Sequence, residues 1–250
     1  MKRKLIAAIA CRNSGSRLHA KPLQNLDIEN GVRIIDQIID TLKTIDCIDE
    51  IILGISSGEE NQIFTKVAKE KGLDYITGDE VDVLGRLIEC GNKGEATDIF
   101  RITSESPFLY YQVVDNLWNK HCEEESDATF FDDIIDGCGF EIIKLNALKK
   151  SHKIGEDKHR SELCTLFIRE NRELFKIQKV SVAPHLNRKD LRLTVDNPED
   201  LVICRKIYNE FKSQAPRIRI EEVIKYLDQN SDLKALTFPF TIQGYDSTNI

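Results

Sequence analysis

Short apolar runs of strand length alternate along this chain with stretches of helical period, and this alternation restricts the possible folds more than any other feature. The first run is "LIAAIAC" at residues 5–11, and "EIILGIS" at residues 50–56 is the second. Between them, apolar side chains recur every three or four residues from Ile34 to Ile45, which predicts a helix. Strands separated by helices predict an α/β fold, with a mostly parallel central sheet flanked by helices on both faces.

The rest of the chain continues this pattern, less regularly in its middle. Further strands are expected at residues 74–78, 97–103, 127–131, 139–145 and 191–196. Further helices are expected at residues 59–72, 81–94, 109–125, 159–174, 197–211 and 219–229. Gly72 is expected to close its helix, and Asn197 and Pro198 are expected to begin theirs as N-cap and first residue. No linker or repeat divides the chain, so we predict one domain over residues 1–230 and a tail over residues 231–250.

Composition restricts the partners and the compartment. The 250 residues can bury a real core, and their net charge of -7 opposes general affinity for nucleic acid. Seven cysteines without a C-x-x-C pair predict neither a zinc site nor disulfides, which favours a reducing, cytoplasmic setting. No apolar run approaches the roughly 18 residues of a membrane span, so we expect no membrane insertion.

A positively charged loop, "CRNSGSRLHAKPL" at residues 11–23, follows the first predicted strand. Its permanent cations are Arg12, Arg17 and Lys21, and the small residues among them are Ser14, Gly15 and Ser16. Ligands of open parallel sheets collect beyond the carboxyl ends of the strands, and this combination suits phosphate oxygens. The loop matches neither a Walker A motif nor G-x-G-x-x-G, and a solvated basic turn is the alternative.

This loop and three later segments together resemble a known enzyme family. The later segments are "GDEVDVLGRL" (78–87), "FRITSESPFL" (100–109) and "LRLTVDNPEDL" (191–201). In this order they are similar to the cytidylyltransferases that make CMP-activated acidic sugars, over about residues 4–211. The similarity is greatest to the spore-coat-polysaccharide branch, which is related to the 3-deoxy-manno-octulosonate and acylneuraminate enzymes.

The resemblance implies a nucleotide-diphospho-sugar transferase fold of Rossmann-like type and a single nucleotidyltransferase domain. It further implies Mg²⁺-dependent transfer of CMP from CTP to a small acidic acceptor, with release of pyrophosphate, in surface-glycan or related biosynthesis. A cytoplasmic homodimer is the expected form. Trp118 is expected either in the dimer interface or, preferably, in the core.

The resemblance also assigns roles to individual residues. Arg12, Arg17 and Lys21 would act on the β- and γ-phosphates as catalytic cations, helped by the backbone of Ser14, Gly15 and Ser16. The nucleoside would be read by Gly78, Asp79, Asp82 and Arg86, although helix capping is an equal explanation for the two aspartates. Glu105 and Asp196 would bind Mg²⁺, with Glu105 standing where the family usually has aspartate. For Asp196 the alternative is a helix-entry residue, and for Arg101 a buried ion pair is as plausible as a substrate contact.

The acceptor side departs most from the family pattern. "HRSELCT" at residues 159–165 keeps Arg160 but has Glu162 in place of a histidine, so these two residues and Glu141 are the acceptor candidates. His159 either replaces that histidine or, preferably, lies on the surface. Cations offered to an acidic acceptor are Lys158, Arg160 and Arg188. These departures suggest an unusual acceptor, such as a phosphonate or another phosphorylated small molecule.

Two other functions compete with this reading. A glycosyltransferase of similar fold would need a D-x-D metal motif, to which "FFDDIID" at residues 130–136 is a loose match. A non-catalytic nucleotide-binding protein is the other possibility, with Glu105 marking lost activity. Retention of the three loop cations and of Asp196 argues against it.

Overall fold

The computed structural model describes residues 3–15 and 17–241. Its strands are β1 (Leu5–Cys11), β2 (Asn25–Asp27), β3 (Val32–Arg33), β4 (Glu50–Ser56), β5 (Asp74–Gly78), β6 (Asp98–Thr103), β7 (Ala128–Phe131), β8 (Phe140–Lys144) and β9 (Ile177–Gln178). Its α-helices are α1 (Ile34–Leu42), α2 (Ile63–Lys71), α3 (Val83–Lys93), α4 (Val114–Glu123), α5 (Leu145–Ile154), α6 (Leu166–Glu170), α7 (Pro198–Phe211), α8 (Ile220–Gln229) and α9 (Ser231–Thr237).

Seven strands form one sheet in the order β5-β4-β1-β6-β8-β7-β9, and β2 pairs separately with β3. The pairs β5–β4, β4–β1, β1–β6 and β7–β9 are parallel, whereas β8 runs antiparallel to β6 and β7. Alternate residues of β1 pack on opposite faces: Leu5 and Ile9 join one apolar cluster, Ile6 and Ala8 the other. The predicted mostly parallel α/β sheet, covered on both faces, is confirmed.

Residues 191–196, predicted as a strand, belong to no sheet. Apolar and polar residues alternate there, and Leu191, Leu193 and Val195 are all buried, although Arg192 is buried as well. Their backbone bonds go to loops instead: Leu193 N–H donates to the Asp136 carbonyl (2.8 Å), and Val195 N–H donates to the Glu105 carbonyl (3.0 Å). The strand prediction was wrong because period 2 reports which residues face the core, not which backbone pairs with them.

The helix predicted over residues 159–174 is also wrong in extent. An α-helix covers only Leu166–Glu170, flanked by short 3-10 turns at Asp157–Arg160 and Arg172–Leu174. Residues 161–165 between them follow an irregular path.

The helix ends follow the sequence signals closely. Asn197 precedes α7 with Pro198 as its first residue, and the Asp200 carboxylate accepts the Asn197 N–H at 2.8 Å. Gly72 ends α2 in the left-handed conformation, with φ of 66°.

The end of the chain beyond residue 230 is only partly described. Residues 231–237 of the predicted tail form α9, which packs on α7, while residues 242–250 lie outside the described part. The domain boundary at residue 230 stays a prediction.

The structure also describes Trp118, the cysteines and the apolar character of the helices. Trp118 is buried within the chain, which agrees with the preferred expectation of a core position. All seven cysteines are free thiols. Over residues 3–15 and 17–241, no helix combines the length and apolar character that a membrane span requires.

Candidate active site

The charged loop leaves β1 at the carboxyl edge of the sheet and is tied down on one side. Buried Asn61 accepts the Asn13 N–H through its side-chain oxygen at 2.7 Å. At Gly15 the loop approaches itself closely, since a Cβ there would lie 2.5 Å from the Leu18 carbonyl oxygen. Ser14 and Gly15 are exposed, and Ser16 lies outside the described residues. The loop is therefore a tight turn held by Asn61, with Ser14 and Gly15 open to solvent.

Two of the three loop cations, Arg17 and Lys21, converge on Asp196. Lys21 Nζ lies 2.5 Å and Arg17 Nη2 3.3 Å from Asp196 Oδ1. Buried Arg192 pairs with the other oxygen, Asp196 Oδ2, and also with Asp136. One carboxylate, 175 residues from Lys21 in sequence, thus gathers three cations.

Glu105 joins this group through the backbone of residues 191–196. Besides the bond from Val195 N–H to the Glu105 carbonyl, Ser106 Oγ donates to Thr194 Oγ1 at 3.1 Å. These two links place the turn after β6 against the segment that ends at Asp196. We call Arg17, Lys21, Glu105, Arg192 and Asp196 the Asp196 cluster. Binding of a shared metal ion by Glu105 and Asp196 stays a prediction.

The two carboxylates of the cluster differ in their electrostatics. Burial raises the pKa of Glu105, Lys21 lowers it in part, and the Asp196 charge raises it further. Burial also acts to raise the pKa of Asp196, but the hydrogen bond and charge of Lys21, with Arg192 and Arg17, lower it overall. Asp196 is therefore firmly ionised at neutral pH.

The donor set of the Asp196 cluster fits a magnesium ion. In the part of the chain that the structure describes, Glu105 forms no ion pair, and it lies partly buried beside the second carboxylate. A bound divalent cation would oppose both causes that raise the pKa of Glu105. Mg²⁺ commonly takes one or two carboxylates together with phosphate oxygens and waters.

In the segment expected to read the nucleoside, the aspartate side chains accept hydrogen bonds from nearby backbone N–H groups. Asp79 Oδ1 accepts the N–H groups of Val81 and Asp82, both at 2.8 Å. Asp82 Oδ1 accepts the N–H of Gly85 at 2.7 Å as the N-cap of α3, and its other oxygen lies 2.6 Å from His152 Nε2. Asp82 is therefore the helix cap, Asp79 holds the turn that precedes it, and contact of either residue with a nucleoside stays a prediction.

Arg86 of the same segment is buried, with 2% of its surface exposed. Its Nη1 donates to the carbonyls of Cys11 (3.2 Å) and Gly54 (3.0 Å) at the ends of β1 and β4. Gly78 makes room for it, because a Cβ there would lie 2.8 Å from Arg86 Cγ. Desolvation lowers the pKa of Arg86. Arg86 thus underlies the carboxyl edge of three parallel strands.

Both carboxylate oxygens of Glu141 accept hydrogen bonds from side chains within the protein. Its oxygens accept from Arg101 Nη1 (2.8 Å), Arg169 Nη2 (2.7 Å) and Thr165 Oγ1 (2.8 Å), and Arg169 also pairs with Asp132 at 2.5 Å. Desolvation acts to raise the pKa of Glu141, but Arg101 and Arg169 lower it to about 2. We call these five residues the Glu141 network. The structure supports the buried ion pair for Arg101 and does not bring Glu141 to a ligand pocket.

Arg12, the remaining cation of the loop, faces a cavity of its own. This cavity of about 290 Å³, here called the side pocket, is lined by Arg12, Glu80, Val81, Val83, Ser161, Glu162 and Leu163. Arg12 Nη2 lies 3.0 Å from Glu162 Oε2, an ion pair that joins the charged loop to the acceptor segment. Arg12 also acts on the pKa of Glu105, which it lowers. Arg12 therefore connects the two parts of the site.

Other acceptor candidates lie outside the side pocket. Arg160 Nη2 donates to the His152 carbonyl at 3.3 Å, and Lys158 pairs with Glu170 at 3.0 Å. His159 is buried rather than on the surface, so the preferred expectation for it was wrong. Its Nδ1 accepts the Glu156 N–H at 2.8 Å, which leaves Nε2 to donate to Glu170, also at 2.8 Å. His159 is thereby a structural residue.

Arg188 lies in a different place again. A second cavity, of about 450 Å³, is lined by His185, Arg188, Glu221, Ile224, Lys225 and Asp228. Arg188 is neutralised there by Asp190 (2.8 Å) and Asp228 (2.6 Å).

The aspartates of "FFDDIID" are held within the protein. Asp132 pairs with Arg169, Asp133 accepts from Asn187 at 2.8 Å, and Asp136 pairs with Arg192. This use of all three carboxylates gives no support to the glycosyltransferase alternative.

Sequence reasoning missed two residues that build the site. Arg192 stands between buried leucines at 191 and 193 and joins Asp136, Asp196 and, at 3.3 Å, Asp200. An arginine inside an apolar stretch was the available signal, because a buried charge needs partners. Asn61, which holds the charged loop, carried no such signal.

The match to a known family extends over almost the whole chain: the sequence profile of the cytidylyltransferases matches residues 6–236. The chain belongs to the cytidylyltransferase family. The resemblance carried by the four motifs is thereby confirmed, and membership of this family makes the protein a nucleotidyltransferase.

One relative of this cytidylyltransferase is similar in sequence, and two solved structures are similar in fold. The spore coat polysaccharide biosynthesis protein SpsF of Bacillus subtilis is 25% identical over 186 residues, 74% of this chain and 77% of that protein. A cytidylyltransferase from Leptospira borgpetersenii superposes with a TM-score of 0.82 at 17% identity, covering 93% and 96% of the two chains. CMP:2-keto-3-deoxy-manno-octonic acid synthetase, solved with CTP, superposes with a TM-score of 0.60 at 14% identity, covering 83% and 99%. The two superpositions confirm the expected Rossmann-like nucleotidyltransferase fold.

Proposed function

We propose that this protein is a Mg²⁺-dependent cytidylyltransferase that transfers CMP from CTP to a small acidic acceptor and releases pyrophosphate. The observation that carries the proposal is the gathering of Arg17, Lys21 and Glu105 around Asp196 at the carboxyl edge of the sheet. CTP as the nucleotide is favoured by the family and by the relative solved with CTP. A surface-polysaccharide role is favoured by the Bacillus subtilis relative.

The reaction asks for neutralised phosphates and a stabilised leaving group. An acceptor oxygen forms a bond to the α-phosphorus, the bond from that phosphorus to the α–β bridging oxygen breaks, and pyrophosphate leaves with the electron pair. Lys21 and Arg17 are already oriented by Asp196, so they can meet phosphate oxygens with little reorganisation. Arg12, exposed beside them, adds a third charge.

Glu105 and Asp196 are the residues that would hold the metal, and Lys21, Arg17 and Arg192 keep Asp196 ionised for this purpose. Bound Mg²⁺ would supply charge neutralisation on the phosphate oxygens. A cytoplasmic location and a homodimer complete the proposal, the former supported by seven free thiols.

Pyrophosphate release tests the proposal directly. CTP, UTP, ATP and GTP are each supplied with a panel of sugar acids, phosphates and phosphonates, with Mg²⁺ or with chelator. The expected result is acceptor-stimulated release with CTP alone, lost on chelation. CTP binding without release by any acceptor would show a non-catalytic nucleotide-binding protein.

Glu105→Asp and Glu105→Gln test the metal role. Asp keeps a carboxylate and is expected to keep activity, whereas Gln removes the charge and is expected to raise the Mg²⁺ concentration needed for half-maximal rate by at least about tenfold. The same Mg²⁺ requirement in Glu105→Gln as in the parent enzyme would remove Glu105 from the metal site.

A further inference from the structure

The charge of the side pocket differs from what an acidic acceptor requires. Its charged lining residues are one arginine, Arg12, and two glutamates, Glu80 and Glu162. Its walls carry apolar groups at the mouth, with Val81 72% and Leu163 36% exposed. A cavity with two carboxylates and exposed apolar walls suits a ligand part that is cationic and short-chained.

The cations that the sequence offered to the acceptor do not line the side pocket. Lys158 pairs with Glu170, Arg160 donates to the His152 carbonyl, and Arg188 pairs with two aspartates. Arg12 is consequently the single cation among the residues that line the side pocket.

Arg12 itself is held weakly. The side chains of Arg12 and Glu162 are 43% and 71% exposed, and ion pairs as exposed as this one contribute little. A nucleoside triphosphate carries several negative charges and competes for the guanidinium with multiple oxygens. When phosphate takes Arg12, Glu162 loses its partner, and the side pocket is left with two unpaired carboxylates.

We propose that the side pocket receives an acceptor that carries an ammonium group in addition to its attacking oxygen, and that Glu162, with Glu80, determines this specificity. The inference rests on the proposed function and narrows its acceptor to a zwitterion. The ammonium group would lie between the carboxylates and its methylene carbons against Val81 and Leu163. The attacking oxygen points toward the Asp196 cluster, and the ammonium keeps all its protons through the transfer.

The position of Glu162 supports this role. Arg101 Nη2 donates to the Glu162 backbone carbonyl at 3.0 Å, so the Glu141 network fixes the main chain while the carboxylate stays free to change partner. Arg12 pairs with Glu162, and its charge also acts on Glu105. Occupation of the phosphate site is thereby linked to the charge of the side pocket, and CTP is expected to bind before the acceptor.

Matched acceptor pairs test the specificity. Pyrophosphate release from CTP is measured with 2-aminoethyl phosphate against ethyl phosphate, and with glucosamine 1-phosphate against glucose 1-phosphate. In at least one pair the amino compound is expected to have a kcat/KM at least about tenfold higher. Glu162→Gln is expected to remove most of this preference, Glu162→Asp to keep part of it, and Glu173→Gln, an exposed glutamate outside the pocket, to leave it unchanged.

The affinity for CTP, measured without an acceptor, tests whether Arg12 leaves Glu162 for the phosphates. Glu162→Gln removes the competing carboxylate and is expected to tighten CTP binding about two- to fivefold, with Glu173→Gln as control. An unchanged CTP affinity in Glu162→Gln would show that Arg12 does not change partner from Glu162 to phosphate. Equal kcat/KM within every acceptor pair overturns the inference but leaves the proposed function standing, whereas no pyrophosphate with any acceptor overturns the proposed function itself.

Discussion

The Asp196 cluster and the Glu141 network are both built from arginines and carboxylates that lie far apart in sequence, yet they are open to solvent to different degrees. In the Glu141 network the side chains of Glu141 and Arg169 are only 7% and 10% exposed. In the Asp196 cluster the Arg17 side chain is 48% exposed. The first set of charges is closed upon itself, and the second can exchange a partner for a ligand.

This difference separates structural from functional charge. A buried ion must be paired within the protein, because removal of one partner leaves an uncompensated charge in a poor solvent. An ion at the edge of the sheet can be paired by the protein in one state and by phosphate or metal in another. Residue type and sequence position alone do not distinguish the two cases.

The largest expected effect is on stability, in the closed network. Glu141→Gln leaves Arg101 and Arg169 without their shared counter-ion and should lower the free energy of unfolding by about 3–5 kcal/mol. Urea denaturation measures it. A loss below about 1 kcal/mol would show that the network is not closed as described.

Acid sensitivity follows from the same carboxylate. The folded pKa of Glu141, about 2, lies below its ordinary value of 4.5, so its contribution is present above pH 4.5 and disappears as the pH falls toward 2. That contribution is roughly 3 kcal/mol. Urea midpoints between pH 7 and pH 2.5 should fall in the parent protein, and Glu141→Gln should lack this part of the fall.

In the Asp196 cluster, a substitution is expected to lower activity while the fold is retained. Lys21→Ala should lower turnover at least about a hundredfold, since a preorganised cation is removed from the leaving group. Asp196 keeps Arg192, so unfolding should be affected less than by Glu141→Gln. Lys206→Ala, at an exposed position on α7, is the matched control. Near-normal turnover in Lys21→Ala would place the phosphates elsewhere.

The smallest expected effect concerns Asp82, which belongs to neither set. Asp82→Ala removes the N-cap of α3 and should cost about 1 kcal/mol of stability, while Asp82→Asn should keep most of it. Thermal unfolding measures both. If both variants are as stable as the parent but bind CTP more weakly, Asp82 reads the nucleotide instead of capping the helix.

The local periodicity of the sequence predicted the helices and strands near the site well. It did not predict which backbone groups pair with each other. β1, α3 and the start of α7 lie where their patterns place them. The strand expected at residues 191–196 failed because alternation reports which residues face the core, whereas the N–H groups of Leu193 and Val195 bond to the carbonyls of Asp136 and Glu105 and not to a strand of the sheet.

The sequence by itself determined the α/β class and the position of the charged loop, because local period fixes those, and the order of its motifs indicated the family. Only the tertiary structure decided which charges serve the fold and which face a ligand. The fold buries Glu141 against two arginines, Arg101 and Arg169. It leaves Glu162 exposed, with Arg12 as its arginine partner. The physical reason is desolvation: the same carboxylate is a structural ion when buried and an exchangeable one at the surface, and burial depends on the whole chain.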